Sequence, residues 1–302
     1  MKIEYAIIVK NKTRLETLIE RFNTKAQAKF YIERLGGDFA DYEIEHEHFQ
    51  IALSLVQRQL SKILKNKTVD RSFLPNFLFQ ENQLVLVIGQ DGLVANTAKY
   101  VHQLPIIAIN PDPLRYDGVL LPFKVDNFLH AIEKVLTNQF QTKTVHLAEA
   151  VLSDGQRLLA FNDLFIGVSS HTSARYKITF SNKTEIQSSS GIIVSTKAGS
   201  TGWLSSIFNM ANALIKTKRQ ISTAFKDNEL MFVVREPFKS KTSQTQLVSG
   251  ILNENNQLII ESLMPANGVI FSDGIESDFL AFNAGSIAVI GIAQRTARLV
   301  IE

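Results

Sequence analysis

The chain has 302 residues, 45% of them hydrophobic and 20% charged, a size comfortable for two domains and a composition that leaves no room for long disorder. A net charge of +3 gives no argument for nucleic acid or an anionic membrane as partner, although it suits a small phosphorylated ligand. The absence of cysteine removes disulfides, thiolate metal sites and cysteine nucleophiles together. At the start, MKIEYAIIVKNKTRLE, the apolar run Tyr5–Val9 is broken by Lys10 and Lys12 and is too short for a signal peptide. No run reaches the ~18 residues of a membrane helix, so the expectation is a soluble, cytoplasmic protein.

Along the first part of the chain, strand and helix signals alternate. Ala6–Val9 reads as a buried strand, and Thr24 is placed to cap a helix that Gly36-Gly37 can end. Phe49, Leu53, Val56, Leu60 and Leu64 share one side of an amphipathic helix. Leu84–Ile88 is a strand, Leu93–Gln103 a helix and Pro105–Ile109 a further strand. Continuous apolar strands separated by helices point to a parallel sheet covered on both faces. From about Val145 the pattern changes to short strands with hairpin signals at Ser153-Asp154-Gly155, Asn182-Lys183 and Asn255-Asn256, which reads as a β-sandwich. One helix interrupts it, Trp203–Lys218, with Lys216, Lys218 and Arg219 at the end that the helix dipole makes favourable for cations. The change of pattern divides the chain into an α/β domain, residues 1–135, and a β-rich domain, residues 136–302.

Three polar clusters stand out. The first is Gly89-Gln-Asp-Gly92, where a strand's carboxyl end meets a helix, the usual ligand crevice of an open α/β sheet. Glycines and a helix N-terminus there suit phosphate, and Asp91 could hold a metal, accept a proton from an attacking hydroxyl, or simply cap the helix. The second is Ser195-Thr-Lys-Ala-Gly-Ser-Thr201 before the Trp203 helix, suited to an anion or a nucleotide edge and equally to capping. The third is Asn162-Asp163 between phenylalanines in a strand pattern, which calls either for a bulge or turn or for ligand hydroxyls to bind. His46 and His48 lack a third ligand at metal-site spacing, and Lys239–Lys241 reads as a solvated loop.

In this order the clusters resemble the NAD kinase family, whose members carry GGDGT after a strand, then Asn-Glu, then Gly-Ser-Thr opening a helix, then a strand ending in Asp-Gly. Here these are Gly89-Gln-Asp-Gly-Leu93, Asn162-Asp163, Gly199-Ser-Thr-Gly-Trp203 and Phe271-Ser-Asp-Gly274. Val9-Lys-Asn-Lys-Thr-Arg14, Asn110-Pro-Asp-Pro-Leu-Arg115, Ser189-Ser-Gly191 and Arg235-Glu-Pro237 look like the mitochondrial type. The resemblance implies a Rossmann-like N-terminal domain, a β-sandwich-like C-terminal domain and the ligand between them. It implies transfer of the γ-phosphoryl of ATP, aided by Mg²⁺, to the 2′-hydroxyl of the adenosine ribose of NAD, giving NADP. Asp91 would be the base, Gly89 and Gly92 would line the phosphate path, and Asn162 and Asp163 would hold ribose hydroxyls. Ser200, Thr201 and Gly202 would meet the adenine, with Trp203 in place of a tyrosine and Ser206 nearby. NAD and ATP are the implied partners, in a homo-oligomer.

Four departures accompany the likeness. Gln90 stands for the second glycine and Leu93 for the threonine, Asp163 for the glutamate, and Ser190 for an acid before Gly191. If the second glycine needs φ > 0, a glutamine there is expected to cost about 1 kcal/mol or more and to push a side chain into the phosphate path. Gln90 and Leu93 together motivate one alternative, a nucleotide-binding relative impaired in catalysis; a kinase of another hydroxyl substrate, such as a lipid or sugar, is a second, because GGDG-type loops serve those too.

Overall fold

The computed structural model describes residues 3–215 and 224–302, in two compact units: residues 1–144 with 297–302, and residues 145–296. Lys216, Lys218 and Arg219, expected at the end of a helix, lie outside the described residues. Among the described residues no helix is long and apolar enough to cross a membrane.

The first unit is a parallel sheet with helical crossovers. Its strands are β1 (Tyr5–Lys10), β2 (Lys65–Asp70), β3 (Gln83–Ile88), β4 (Pro105–Asn110) and the short β5 (Phe123–Lys124). Its helices are α1 (Arg14–Phe22), α2 (Lys25–Arg34), α3 (Phe39–Leu60), α4 (Asp91–Ala98) and α5 (Phe128–Leu136). The order β2-β1-β3-β4 is parallel throughout, with β5 paired along Ile109 and Asn110. β4 is buried from end to end and β3 from Leu84 to Ile88, as continuous apolar runs covered on both faces must be. Ala6, Ile8, Leu84, Leu86, Ile107, Phe49, Val56, Phe128 and Ile132 join strands and helices in one core. The expected caps at Thr24 and Gly36 are present: Thr24 accepts from the Gln27 N–H, and Gly36 is left-handed at φ +78°. α4 stops at Ala98 rather than Gln103, and Gln103 turns left-handed (φ +57°) ahead of β4.

The second unit is a sandwich of two sheets. Its strands, after β6 (Gln141–Leu152), are β7 (Arg157–Ala160), β8 (Asp163–Val168), β9 (Ala174–Phe180), β10 (Lys183–Ser189), β11 (Ile192–Ser195), β12 (Leu230–Val234), β13 (Ser249–Leu252), β14 (Leu258–Ser262), β15 (Gly268–Ser272), β16 (Ile275–Ala281) and β17 (Ile287–Ile301), with one α-helix among the described residues, α6 (Trp203–Ile215). One sheet runs β10-β9-β14-β17, with β6 paired to β17 and β7; the other is β13-β12-β11-β8-β15-β16. Their inner faces meet in a core that includes Ile166, Tyr176, Phe232, Leu258, Ile270 and Phe282. The end of β17, from Ala297, belongs to the first unit, where Arg298 and Leu299 pair with β4 of the same unit.

Two hairpin signals hold, at Gly155 (φ +88°) between β6 and β7 and at Ser181-Asn182 between β9 and β10. The third does not. The turn at Asn253–Asn256 exists, but β13 pairs with β12 and β14 with β9 and β17, so the chain crosses from one sheet to the other.

Candidate functional site

The GQDG turn sits where β3 ends and α4 begins. Gln90 takes φ −108° and ψ 166°, ordinary extended backbone, and serves as the N-cap residue without a side-chain cap bond. The strain expected of a glutamine here is therefore absent, because this position needs no left-handed backbone. Gln90 is exposed, and its side chain hydrogen-bonds the hydroxyl of Tyr116, a phenol that burial pushes up from its usual pKa. Leu93 is 4% exposed and packs on Gly89, where an added Cβ would meet Leu93 Cδ2 at 2.9 Å. Gly92 is exposed, with open space where a Cβ would stand.

Asp91 is the first helical residue rather than the cap. Its Oδ1 accepts the Leu120 N–H at 2.8 Å, which fixes the carboxylate from outside its own helix. The loop that supplies this donor is ordered by Asn110. Asn110 Oδ1 accepts the Asp112 N–H at 3.1 Å, and Nδ2 donates to the Tyr116 carbonyl at 2.9 Å. Gly118 has φ +65°, and a Cβ there would lie 2.6 Å from Asn110 Nδ2, so both backbone and space demand glycine.

Strand register brings a second segment to this turn. Lys10 lies opposite Ile88, so Asn11–Arg14 leave the sheet beside Gly89–Asp91 at its carboxyl edge. A cleft of about 570 Å³ opens there, lined by Lys12, Arg14, Arg71, Gln90, Gly92 and Tyr116 among others. Thr13 begins α1 with a capping box to Glu16. Arg14 hydrogen-bonds Glu45 and Asp41, and Arg115 also pairs with Asp41. Held by Arg115 first and Arg14 second, Asp41 falls to a pKa of about 2. In the sequence Lys12, Arg14 and Arg115 stand out only within family-like segments and without a site role; the parallel pairing of β1 with β3 is the signal that brings Lys12 and Arg14 to this turn.

In the second unit, Phe161 and Asn162 form the break at which the chain passes from β7 in one sheet to β8 in the other. The polar pair is thus a true interruption, as Asn and Asp in a strand pattern required. Asp163 begins β8, 8% exposed, opposite Ser195 of β11. Burial first, and the charge of Asp273 second, push it up to about 7.

The Gly-Ser-Thr segment is tied to that break. The Thr196 N–H donates to the Asn162 carbonyl at 2.9 Å, Thr196 Oγ1 to the Phe161 carbonyl at 2.6 Å, and the Gly199 N–H to Thr196 Oγ1 at 3.1 Å. Gly199 presses so close that a Cβ would stand 2.2 Å from the Asn162 carbonyl oxygen. Ser200 is buried and donates to the Lys197 carbonyl at 2.7 Å, whereas Thr201, Gly202 and Ser206 are exposed. Trp203 opens α6 and stacks on Phe165 of β8 at 5.8 Å and 7°, with the Arg235 guanidinium 5.3 Å from its ring centre. A cleft of about 820 Å³ beside the stack is lined by Phe165, Ser190, Trp203, Arg235 and Phe271. Thus Asn162, Asp163, Ser200, Thr201, Gly202 and Trp203 form one locally braced cluster, and Gly89, Asp91 and Gly92 form another.

No protein-family model matches the chain. Over 163 residues, 49% of the chain, it is 28% identical to an NAD kinase of Geobacter sp. (strain M21), and over 173 residues it is 27% identical to the NAD kinase of Caldicellulosiruptor saccharolyticus. Its fold matches a yeast NADH kinase solved with NADH, with a TM-score of 0.59 at 14% identity over 100% of this chain and 84% of that one. It also matches an NAD kinase from Archaeoglobus fulgidus solved with ATP, with a TM-score of 0.55 at 14% identity over 98% of this chain and 92% of that one. The chain is similar in sequence to NAD kinases over about half its length, and in fold to solved members of that family. It spans about half the length of the first of these sequence relatives, 53%, and 62% of the second. The likeness in fold agrees with the Rossmann-like and sandwich-like halves described above.

Proposed function

We propose that this protein is an NAD kinase that moves the γ-phosphoryl of ATP to the 2′-hydroxyl of the adenosine ribose of NAD. The observation that carries the reading is a carboxylate fixed at a phosphate-type turn, Asp91 held by the Leu120 N–H beside a cationic cleft, in a chain similar to NAD kinases. Asp91 takes the hydroxyl proton as the ribose oxygen bonds to the γ-phosphorus; the bond to the bridging oxygen breaks, and its electron pair leaves with ADP. Lys12, Arg14 and Arg71 neutralise donor phosphates, and Gly89 and Gly92 let the chain come close to them. Asn162 and Asp163 hold ribose hydroxyls, while Ser200, Thr201, Gly202 and Trp203 receive the adenine, with Ser206 nearby. Mg²⁺ would be held chiefly by the phosphates of the donor and, when bound, would neutralise charge on the transferring phosphoryl. A cytoplasmic homo-oligomer belongs to the same reading, by analogy alone.

The impaired-relative alternative is motivated by Gln90 and Leu93; the extended backbone at Gln90 removes the strain part of it and leaves the side-chain part to be tested. The other question is the acceptor. With γ-labelled ATP, Mg²⁺ and a panel of NAD, NADH, a sugar and a lipid alcohol, label is expected in NADP or NADPH. Transfer to the sugar or lipid alone would assign the chain to another hydroxyl kinase, and NAD binding without transfer would restore the impaired reading.

A further inference from the structure

Asp273 occupies the two-residue turn between β15 and β16, where Ser272 pairs with Ile275 and Asp273 and Gly274 have φ of +54° and +70°. Consecutive left-handed residues make this a type I′ hairpin turn. Its carboxylate is spent on a distant part of the chain. Oδ2 accepts the Phe161 N–H at 3.0 Å, and Oδ1 accepts those of Asn162 at 2.6 Å and Asp163 at 3.3 Å. In return the Asp273 N–H donates to the Asp163 carbonyl at 3.0 Å. Three successive N–H groups converging on one carboxylate form an anion nest filled by the protein's own side chain. An amide in its place would turn an NH₂ group toward donors.

We propose that Asp273 is the positioning residue of the acceptor half of the site: it fixes the 161–163 turn so that Asn162 and Asp163 are presented together to vicinal hydroxyls. This role rests on the kinase reading above, which supplies the ribose. The bracing is two-sided, since Thr196 and Gly199 hold the same turn through its carbonyls while Asp273 holds its N–H groups. Asp273 also acts at a distance as the charged neighbour of buried Asp163, whose pKa of about 7 owes its second cause to that charge. Asp163 therefore passes near neutrality from an acid that can donate to a hydroxyl oxygen to a carboxylate that only accepts.

The protein's single tryptophan, Trp203, is stacked on β8 and reports NAD binding to the full chain by fluorescence. Titrations across about pH 5 to 9 bracket the change at Asp163. Asp273→Asn is expected to weaken NAD binding at least about tenfold. It is also expected to move the pH midpoint of binding lower, because the like charge beside Asp163 is gone, while ATP binding is unchanged. Asp273→Glu, which keeps the charge, is expected to restore the midpoint. A variant that matches wild type in affinity and midpoint, or that loses the same factor at every pH, overturns the positioning role. Wild-type protein that binds no NAD overturns the kinase reading itself, and the positioning role with it. Should Asp273→Asn not fold, Asp163→Asn decides: it must abolish the pH dependence of NAD binding, and a retained midpoint overturns the proposal.

Discussion

Asp163 is a residue whose burial costs stability at neutral pH. Folded, it binds its proton more tightly than an aspartate at the ordinary value of 3.8, since its pKa rises to about 7. The protonated form therefore contributes stability in full below about pH 3.8, and that contribution is lost as pH rises through about 7. Asp163→Asn, neutral at every pH, is expected to gain on wild type across that window, to a ceiling of about 4 kcal/mol above pH 7. Urea unfolding at pH 4, 6 and 8 checks this, and a stability difference that does not grow with pH would contradict it. Gln90 makes the opposite case. Exposed and extended, it is expected to tolerate Gln90→Gly with less than about a threefold change in kcat/KM and a loss of about 0.5–1 kcal/mol from unfolded-chain entropy. A large gain in turnover would show that the glutamine obstructs the phosphate path after all.

Between elements, the loop after β4 decides how Asp91 is held. Gly118→Ala forces a left-handed alanine and a 2.6 Å contact on Asn110, the residue that organises the loop. A loss of about 1–3 kcal/mol is expected, with kcat for NADP formation falling more than KM for NAD rises, because the Leu120 donor to Asp91 moves. Thermal unfolding and steady-state kinetics read the two effects, and wild-type kcat would contradict the account. What was legible at this scale was local. Apolar runs gave β1, β3 and β4, and Gly155 gave its hairpin. β2, KNKTVD, was missed because an edge strand bearing Lys65 and Lys67 has no apolar run to betray it, and its charges protect the edge. The turn at Asn253–Asn256 misled because a turn signal does not say which sheet the next strand joins.

For the whole molecule, the change from alternating strand and helix to strands alone was readable in the sequence, and so were the local settings of the polar clusters. The partners of those clusters were not. Asp273 meets Asn162 across 111 residues, and Lys12 comes beside Gln90 only through the register of β1 on β3. Both depend on pairings that no local pattern specifies. The return of β17 to pair Leu299 with Ile106 is of the same kind. The central claim, that Asp91 is the base of an NAD kinase, is tested most directly by NADP formation from NAD and ATP with Mg²⁺, comparing wild type with Asp91→Asn. The amide oxygen can still accept the Leu120 N–H, so the loop is kept while the base is lost. The account predicts a fall in kcat of about 10²–10⁴ with NAD affinity changed less than about threefold. Equal kcat in the two proteins, or no NADP from the wild type, would contradict it.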